Sequence, residues 1–255
     1  MRYFVELSYN GDRYCGWQRQ RDAASVQETL ERALSTLLRE PVEVTGAGRT
    51  DTGVHAAYAV AHFDVAAPLT DPEHTVYKLN CLLPDDVAVF GVAPVADDAH
   101  ARFSAAEREY RYFIESRKNP FTRRAAWHYY RPLDVERMDR AAASLLEYDD
   151  FTSFAKPTTR PISAASCGPV GRSRPKECTA LRSVPTVFCA IWCGRWWGRW
   201  STWGAGVTMW RSSARSSRAA TCRARAAAEG LYLWDVAYPA GVFRRGERTR
   251  NLLFN

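Results

Sequence analysis

What most limits the fold of this chain is a hydrophobic period that switches, twice over, between the two of a strand and the three-to-four of a helix. Arg2 to Tyr9 alternates and is rich in Tyr, Phe and Val, which predicts a strand, and Asn10-Gly11-Asp12 turns the chain. Ser25-Val26-Gln27-Glu28 has the capping-box pattern that opens a helix. Val26, Leu30, Ala33, Leu34, Leu37 and Leu38 then recur at helical spacing, and Pro41 stops the run. Val42-Glu43-Val44 reads as a short strand and Ala57 to Val65 as a longer one. Asp71-Pro72-Glu73 opens a second helix, and Pro84-Asp85-Asp86 turns into the apolar strand Val87 to Val92. A second set begins with the strand Glu109 to Ile114. Its helix runs from Asp134 to Leu146 with Met138, Ala141, Ala142 and Leu145 on one face, and Leu231 to Tyr238 is a late strand. Such interleaving predicts an α+β protein of two related halves that meet near residues 104–109. We expect a first half at 1–105, a second at 106–245 and a tail at 246–255; the 255 residues suffice for a buried core.

Charge is spread unevenly. Residues 163–228 hold ten Arg and one Lys against the single acid Glu177, whereas the rest holds 24 basic and 27 acidic groups. The same stretch has six of the nine Trp and five of the seven Cys, so the basic character belongs to one quarter of the chain. No apolar run is long enough to span a bilayer, and the start, Met1-Arg2-Tyr3-Phe4-Val5-Glu6, is not a signal peptide. A cytoplasmic protein with no membrane partner is therefore expected. Seven irregularly spaced cysteines do not form a disulfide framework.

The loop Gly46-Ala47-Gly48-Arg49-Thr50-Asp51-Thr52-Gly53 lies between two expected strands, with three glycines to relax its backbone. In an extended segment Arg49 and Asp51 would share a face, and an arginine fork keeps a carboxylate ionised and oriented. Such an aspartate can act as nucleophile or base. The same spacing also fits a structural ion pair that ties down a turn. Asp51-Thr52-Gly53 is, besides, the tripeptide of aspartic proteases, whose chemistry needs two such carboxylates; this chain has one copy.

Gly48-Arg49-Thr50-Asp51-Thr52-Gly53-Val54-His55-Ala56 resembles the active-site motif of TruA-type tRNA pseudouridine synthases, which usually have Ala where Thr52 stands. Further segments resemble the same family in the same order. They are Tyr9-Asn10-Gly11, Gly16-Trp17-Gln18-Arg19-Gln20, Ser25-Val26-Gln27, Asn80-Cys81-Leu82-Leu83-Pro84, Ala101-Arg102-Phe103-Ser104-Ala105 and Arg108-Glu109-Tyr110-Arg111-Tyr112. Asp150-Phe151-Thr152-Ser153-Phe154, Glu229-Gly230-Leu231-Tyr232-Leu233 and Tyr238-Pro239 follow. The resemblance implies a pseudouridine synthase fold, two α/β halves whose antiparallel sheets flank an RNA-binding cleft. It implies isomerisation of uridine to pseudouridine in the anticodon stem-loop of tRNA (family positions 38–40), by a homodimer, with no cofactor and no metal. Asp51 would be the nucleophile that helps uracil leave C1′, Arg49 would hold the flipped nucleotide or its phosphate, and Tyr110 would stack on the base. Arg102, Arg108 and Gln18 would contact RNA. From the residues alone, alternating Tyr110 and Tyr112 equally fit strand packing, Arg102 and Arg108 equally fit a solvated surface, and His55 reads as a structural loop histidine.

Between residues 161 and 226 the resemblance stops. The family would place there a helix with His-Met-Val-Arg-x-x-Val-Gly, whose arginine pairs with the catalytic aspartate. The chain has Ala190-Ile191-Trp192-Cys193-Gly194-Arg195-Trp196-Trp197-Gly198 instead, a poor helix with bulky indoles and two glycines. Tryptophan has the single codon UGG, so Trp196-Trp197 re-read in another frame contains GUG (Val) and Trp197-Gly198 contains GGG (Gly). With suitable third bases Ala190 to Gly194 becomes His-Met-Val-Arg. We read residues 161–226 as translated out of frame, which makes an inactive relative the alternative to an active enzyme. The other alternative is a non-catalytic RNA-binding protein whose Arg/Trp-rich stretch grips single strands.

Overall fold

The computed structural model describes residues 1–134, the backbone of 178–183 and residues 227–243. The expected helix from Asp134 to Leu146 lies almost wholly outside the described residues. Asp150 to Phe154, the tail 246–255 and all of 161–226 except Cys178–Ser183 lie outside them too. The elements in order are β1 (Arg2–Tyr9), α1 (Val26–Leu38), β2 (Val44–Gly46), β3 (His55–Asp64), α2 (Pro72–Leu82), β4 (Val87–Val95), β5 (Glu107–Glu115), β6 (Trp127–His128), β7 (Cys178–Ser183) and β8 (Leu231–Ala237). The mixture of helices and a mostly antiparallel sheet is α+β. The chain divides into two units, Met1–Arg108 with Tyr232–Asn255, and Glu109–Leu231.

In the first unit β1 lies between β3 and β4 and runs antiparallel to both. Every residue from Tyr3 to Leu7 is buried, Glu6 included, so burial along β1 does not follow the expected alternation. Glu6 accepts a hydrogen bond from the Tyr58 hydroxyl at 2.6 Å. β2 pairs antiparallel with β3. On the same strand β8 adds in parallel, matching His55 with Tyr232 and Ala56 with Leu233. Sequence order alone assigns the late strand to the second half; its pairing with β3 brings all but its first residue into the first unit.

Local chemistry sets the two helices. The Ser25 hydroxyl accepts from the Glu28 N–H at 3.3 Å, and Arg39 ends α1 in the left-handed region at φ 58°. α1 buries Val26, Leu30, Ala33 and Leu34, the larger of them contributing roughly 1.5–3 kcal/mol each. Its buried Glu31 accepts from Gln27, from Arg19 and from the Val44 N–H at 3.0 Å, and so ties the helix to the start of β2. Asp71 caps α2 through the His74 N–H, with Pro72 at the first position. Further along α2, the Asn80 side-chain amide bonds both the N–H and the carbonyl of Val89, at 2.8 Å each, doing for β4 what a neighbouring strand would.

In the second unit β5 pairs antiparallel with β7, Tyr110 opposite Ser183, and parallel with β6 at Ile114 and Trp127. The buried Tyr112 donates to the Ala227 carbonyl at 2.7 Å, and burial raises its hydroxyl pKa far above the usual value.

Candidate active site

Asp51 sits in the loop that links β2 to β3, and it is exposed while the residues around it are fastened. Thr50 is 5% exposed, and its hydroxyl shares a 2.8 Å hydrogen bond with the buried Tyr9 hydroxyl. Burial holds that phenol protonated by pushing its pKa strongly upward, against a smaller opposing effect of Thr50. The Thr50 carbonyl accepts from the Trp17 N–H at 3.1 Å. After the aspartate, the Val54 N–H donates to the Asp51 carbonyl at 3.1 Å, the Gly53 N–H donates to the Tyr14 carbonyl, and Gly53 takes φ +77°. At the other end the Ala47 N–H donates to Val60 at 2.7 Å. A carboxylate is thereby offered to solvent on a backbone bonded on both sides.

The segment Gly11–Trp17 forms a second layer against this loop, and it works only because glycines let it approach. A Cβ on Gly11 would stand 2.0 Å from the Val54 oxygen. One on Gly16, at φ +90°, would stand 2.3 Å from the Thr50 oxygen and 3.0 Å from the Asp51 carbonyl carbon. The segment is held from below by Asp86, which accepts from Arg13 and, at 2.7 Å, from the Tyr14 hydroxyl. Burial first, and then that acceptor, push the Tyr14 pKa up to about 12. His55 is framework: buried, it accepts the Gly11 N–H on Nδ1 at 3.1 Å and stacks on Tyr232 at 4.7 Å.

The residues expected to serve Asp51 fall into different places. Arg49 is exposed, and among the described residues no ion pair joins it to Asp51. Arg49 and Asp51 are both exposed with the buried Thr50 between them, so the two side chains reach solvent from one stretch of the loop. Gln18 is exposed beside the buried Trp17, and Arg102 is exposed on the turn before β5. Arg108 is no surface phosphate contact. It is 6% exposed, and its guanidinium donates to the Ala47 carbonyl at 3.0 and 2.8 Å and to the Arg102 carbonyl. This corrects its expected role, since donors spent on internal carbonyls position the loop. Tyr110, 1% exposed, belongs to the second unit. Sequence reasoning missed the bracing by Tyr9, Gly11, Gly16 and Trp17. The only signal was that these residues recur beside the aspartate motif in one resemblance. Among the described residues no group of three His, Cys, Asp or Glu side chains is placed to hold a metal ion.

The chain is similar in sequence to known proteins. Residues 7–104 match the family described as tRNA pseudouridine synthase. The protein named tRNA pseudouridine synthase A from Porphyromonas gingivalis is 41% identical over 257 residues, 95% of this chain and 99% of that protein. Proteins of the same name from Bacteroides fragilis and Bacteroides thetaiotaomicron are 50% and 54% identical over 155 residues, 61% of this chain. That stretch covers 62% and 57% of the two Bacteroides proteins, so the matched part spans about three fifths of those relatives.

Proposed function

We infer the function from the premise that this chain belongs to the tRNA pseudouridine synthase A family. Its reaction is the isomerisation of uridine in tRNA to pseudouridine, and we assign the anticodon stem-loop as the region modified. The N1–C1′ bond of the nucleotide breaks, the base turns, and a C5–C1′ bond forms while the C5 proton passes to solvent and N1 takes up a proton in its place. Product and substrate have the same composition, so the chemistry asks for positioning and charge rather than for a co-reactant. The target base must leave the stack to be reached.

One observation supports this reading above the others: an exposed aspartate whose flanking backbone is bonded to buried partners on both sides. We assign Asp51 as the group that acts on the ribose, Arg49 and Arg102 as cations for the extruded nucleotide and its phosphates, and Gln18 as a further RNA contact. Tyr110 is assigned to the base, and Arg108 to holding the loop. We further place the enzyme as a homodimer in the cytoplasm. Among the described residues no helix is long and apolar enough to cross a membrane. Light scattering tests the dimer.

Tritium release from tRNA labelled at C5 of uridine tests the function. Release by the frame-corrected chain, with pseudouridine in the product, is expected, and its absence overturns the reading. Tight tRNA binding without release would instead identify a non-catalytic binder. The proposal that residues 161–226 are out of frame is tested separately, by resequencing the gene and by mass spectrometry of peptides from 163–226. An intact frame with those peptides present refutes it.

A further inference from the structure

The turn 99–104, just before β5, spends an unusual number of internal bonds to hold one aromatic ring in water. Phe103 is 78% exposed. The Ala101 N–H donates to His62 Nδ1 at 3.2 Å, and the Arg102 and Phe103 N–H groups both donate to His100 Nδ1, at 3.1 and 3.3 Å. The Ser104 hydroxyl accepts from the His100 N–H at 3.0 Å. Tyr238 donates to the Ala101 carbonyl at 2.6 Å, Arg2 to that of Ala99 at 3.0 Å, and Arg108 to that of Arg102. The His100 ring lies 4.4 Å from the Phe103 ring, and the Arg102 guanidinium carbon 5.8 Å from its centroid. Burial lowers the pKa of both His62 and His100, so at neutral pH the two imidazoles are acceptors, as these bonds require.

We propose that Phe103, with Arg102 beside it, is a stacking platform for an unpaired nucleobase of the RNA substrate, held in register with the Asp51 loop by Arg108. This rests on the function proposed above and names a part of the substrate that the loop itself does not touch. An aromatic ring next to a guanidinium is the chemistry that takes splayed bases from single-stranded loops. Ordering the turn beforehand removes the entropy cost of fixing it on binding. One ring flanked by a charge and a serine lacks the apolar core that a protein partner needs, which favours a base over a protein surface. Arg108 bonds Ala47 and Arg102 at once, so the turn and the loop move together.

The test is equilibrium binding of an anticodon stem-loop RNA with 2-aminopurine at an unpaired loop position, read by anisotropy and by stacking-induced quenching. Phe103→Ala is expected to weaken binding about tenfold and abolish quenching, because a stacked base is worth about 1–3 kcal/mol. Its salt dependence stays as it was, because no charge is lost. Phe103→Trp retains both signals, and Arg102→Ala lowers the salt slope by about one. An unchanged thermal melt and far-ultraviolet dichroism verify the fold of each variant. The inference is overturned if Phe103→Ala binds like the unsubstituted chain, if Phe103→Trp binds as poorly as Phe103→Ala, or if Phe103→Ala instead splits a dimer. No RNA binding by the unsubstituted chain also overturns it. Loss of the function reading is seen separately, as absence of tritium release.

Discussion

Replacing Gly16 by Ala should disable the enzyme without touching any group that meets RNA. The new Cβ would lie 2.3 Å from the Thr50 oxygen, where ordinary contact begins near 3.4 Å. Neither side has room. Thr50 is pinned by Tyr9 and Trp17, and Gly16 sits at φ +90°, where alanine is strained by about 1–2 kcal/mol. Breaking the Trp17–Thr50 bond adds about 1 kcal/mol. The total of about 2–3 kcal/mol corresponds to a fall in Tm of about 5–10 °C for a chain of this size. Relief of the clash requires the Thr50–Asp51 backbone to retreat by about 1 Å, and a displacement of about 1 Å at a reacting group costs on the order of a hundredfold in rate. Single-turnover pseudouridine formation, measured well below the new Tm, should therefore fall about a hundredfold, with tRNA affinity changed less than about twofold. Turnover within a factor of three of the parent would refute the claim that the glycine layer sets the position of Asp51.

Two further outcomes follow from buried groups. His62 has its pKa lowered to about 4, chiefly by burial and then by Arg2 and His100, against 6.5 in the unfolded chain. Unfolding therefore takes up a proton between these values, so stability is full above about pH 6.5 and is lost as pH falls toward 4. Denaturant melts should show the first unit about 1–2 kcal/mol weaker at pH 5 than at pH 7. His62→Gln should flatten that slope, and equal slopes would exclude His62 as its source. Tyr9→Phe leaves the buried Thr50 hydroxyl without its partner and should cost about 1–3 kcal/mol in thermal or denaturant melts. Adding Thr50→Val to Tyr9→Phe should recover most of the loss, and a merely additive double variant would contradict the pairing.

Elements governed by neighbours in sequence were legible in advance. Ser25 and Asp71 announced both helices of the first unit, and the Tyr, Phe and Val content announced β1, although its burial does not alternate. Strand limits drifted where propensity is weak: the short strand expected at 42–44 is Val44–Gly46, and the one expected at 57–65 is His55–Asp64. What could not be read depends on contacts distant in the chain. β8 joins β3 through residues more than 170 positions away, and nothing near Leu231 signals a partner. Arg108 looks like any surface arginine until β5 folds and turns its guanidinium onto Ala47. The Arg49–Asp51 spacing put two exposed side chains on either side of the buried Thr50 but did not announce an ion pair between them. The loop that carries Asp51 was legible, since glycines crowd into a gap between two strands. The layer of Gly11 and Gly16 that supports it was visible as residues but not as a contact.

The central claim is that the Asp51 carboxylate lets uracil leave its sugar and return through C5. Comparing tritium release from C5-labelled tRNA by the parent and by Asp51→Asn tests it most directly, because the amide keeps the shape and removes the charge. The account predicts no release by Asp51→Asn above the uncatalysed rate, with tRNA still bound at parental affinity. Release at the parental rate would contradict it.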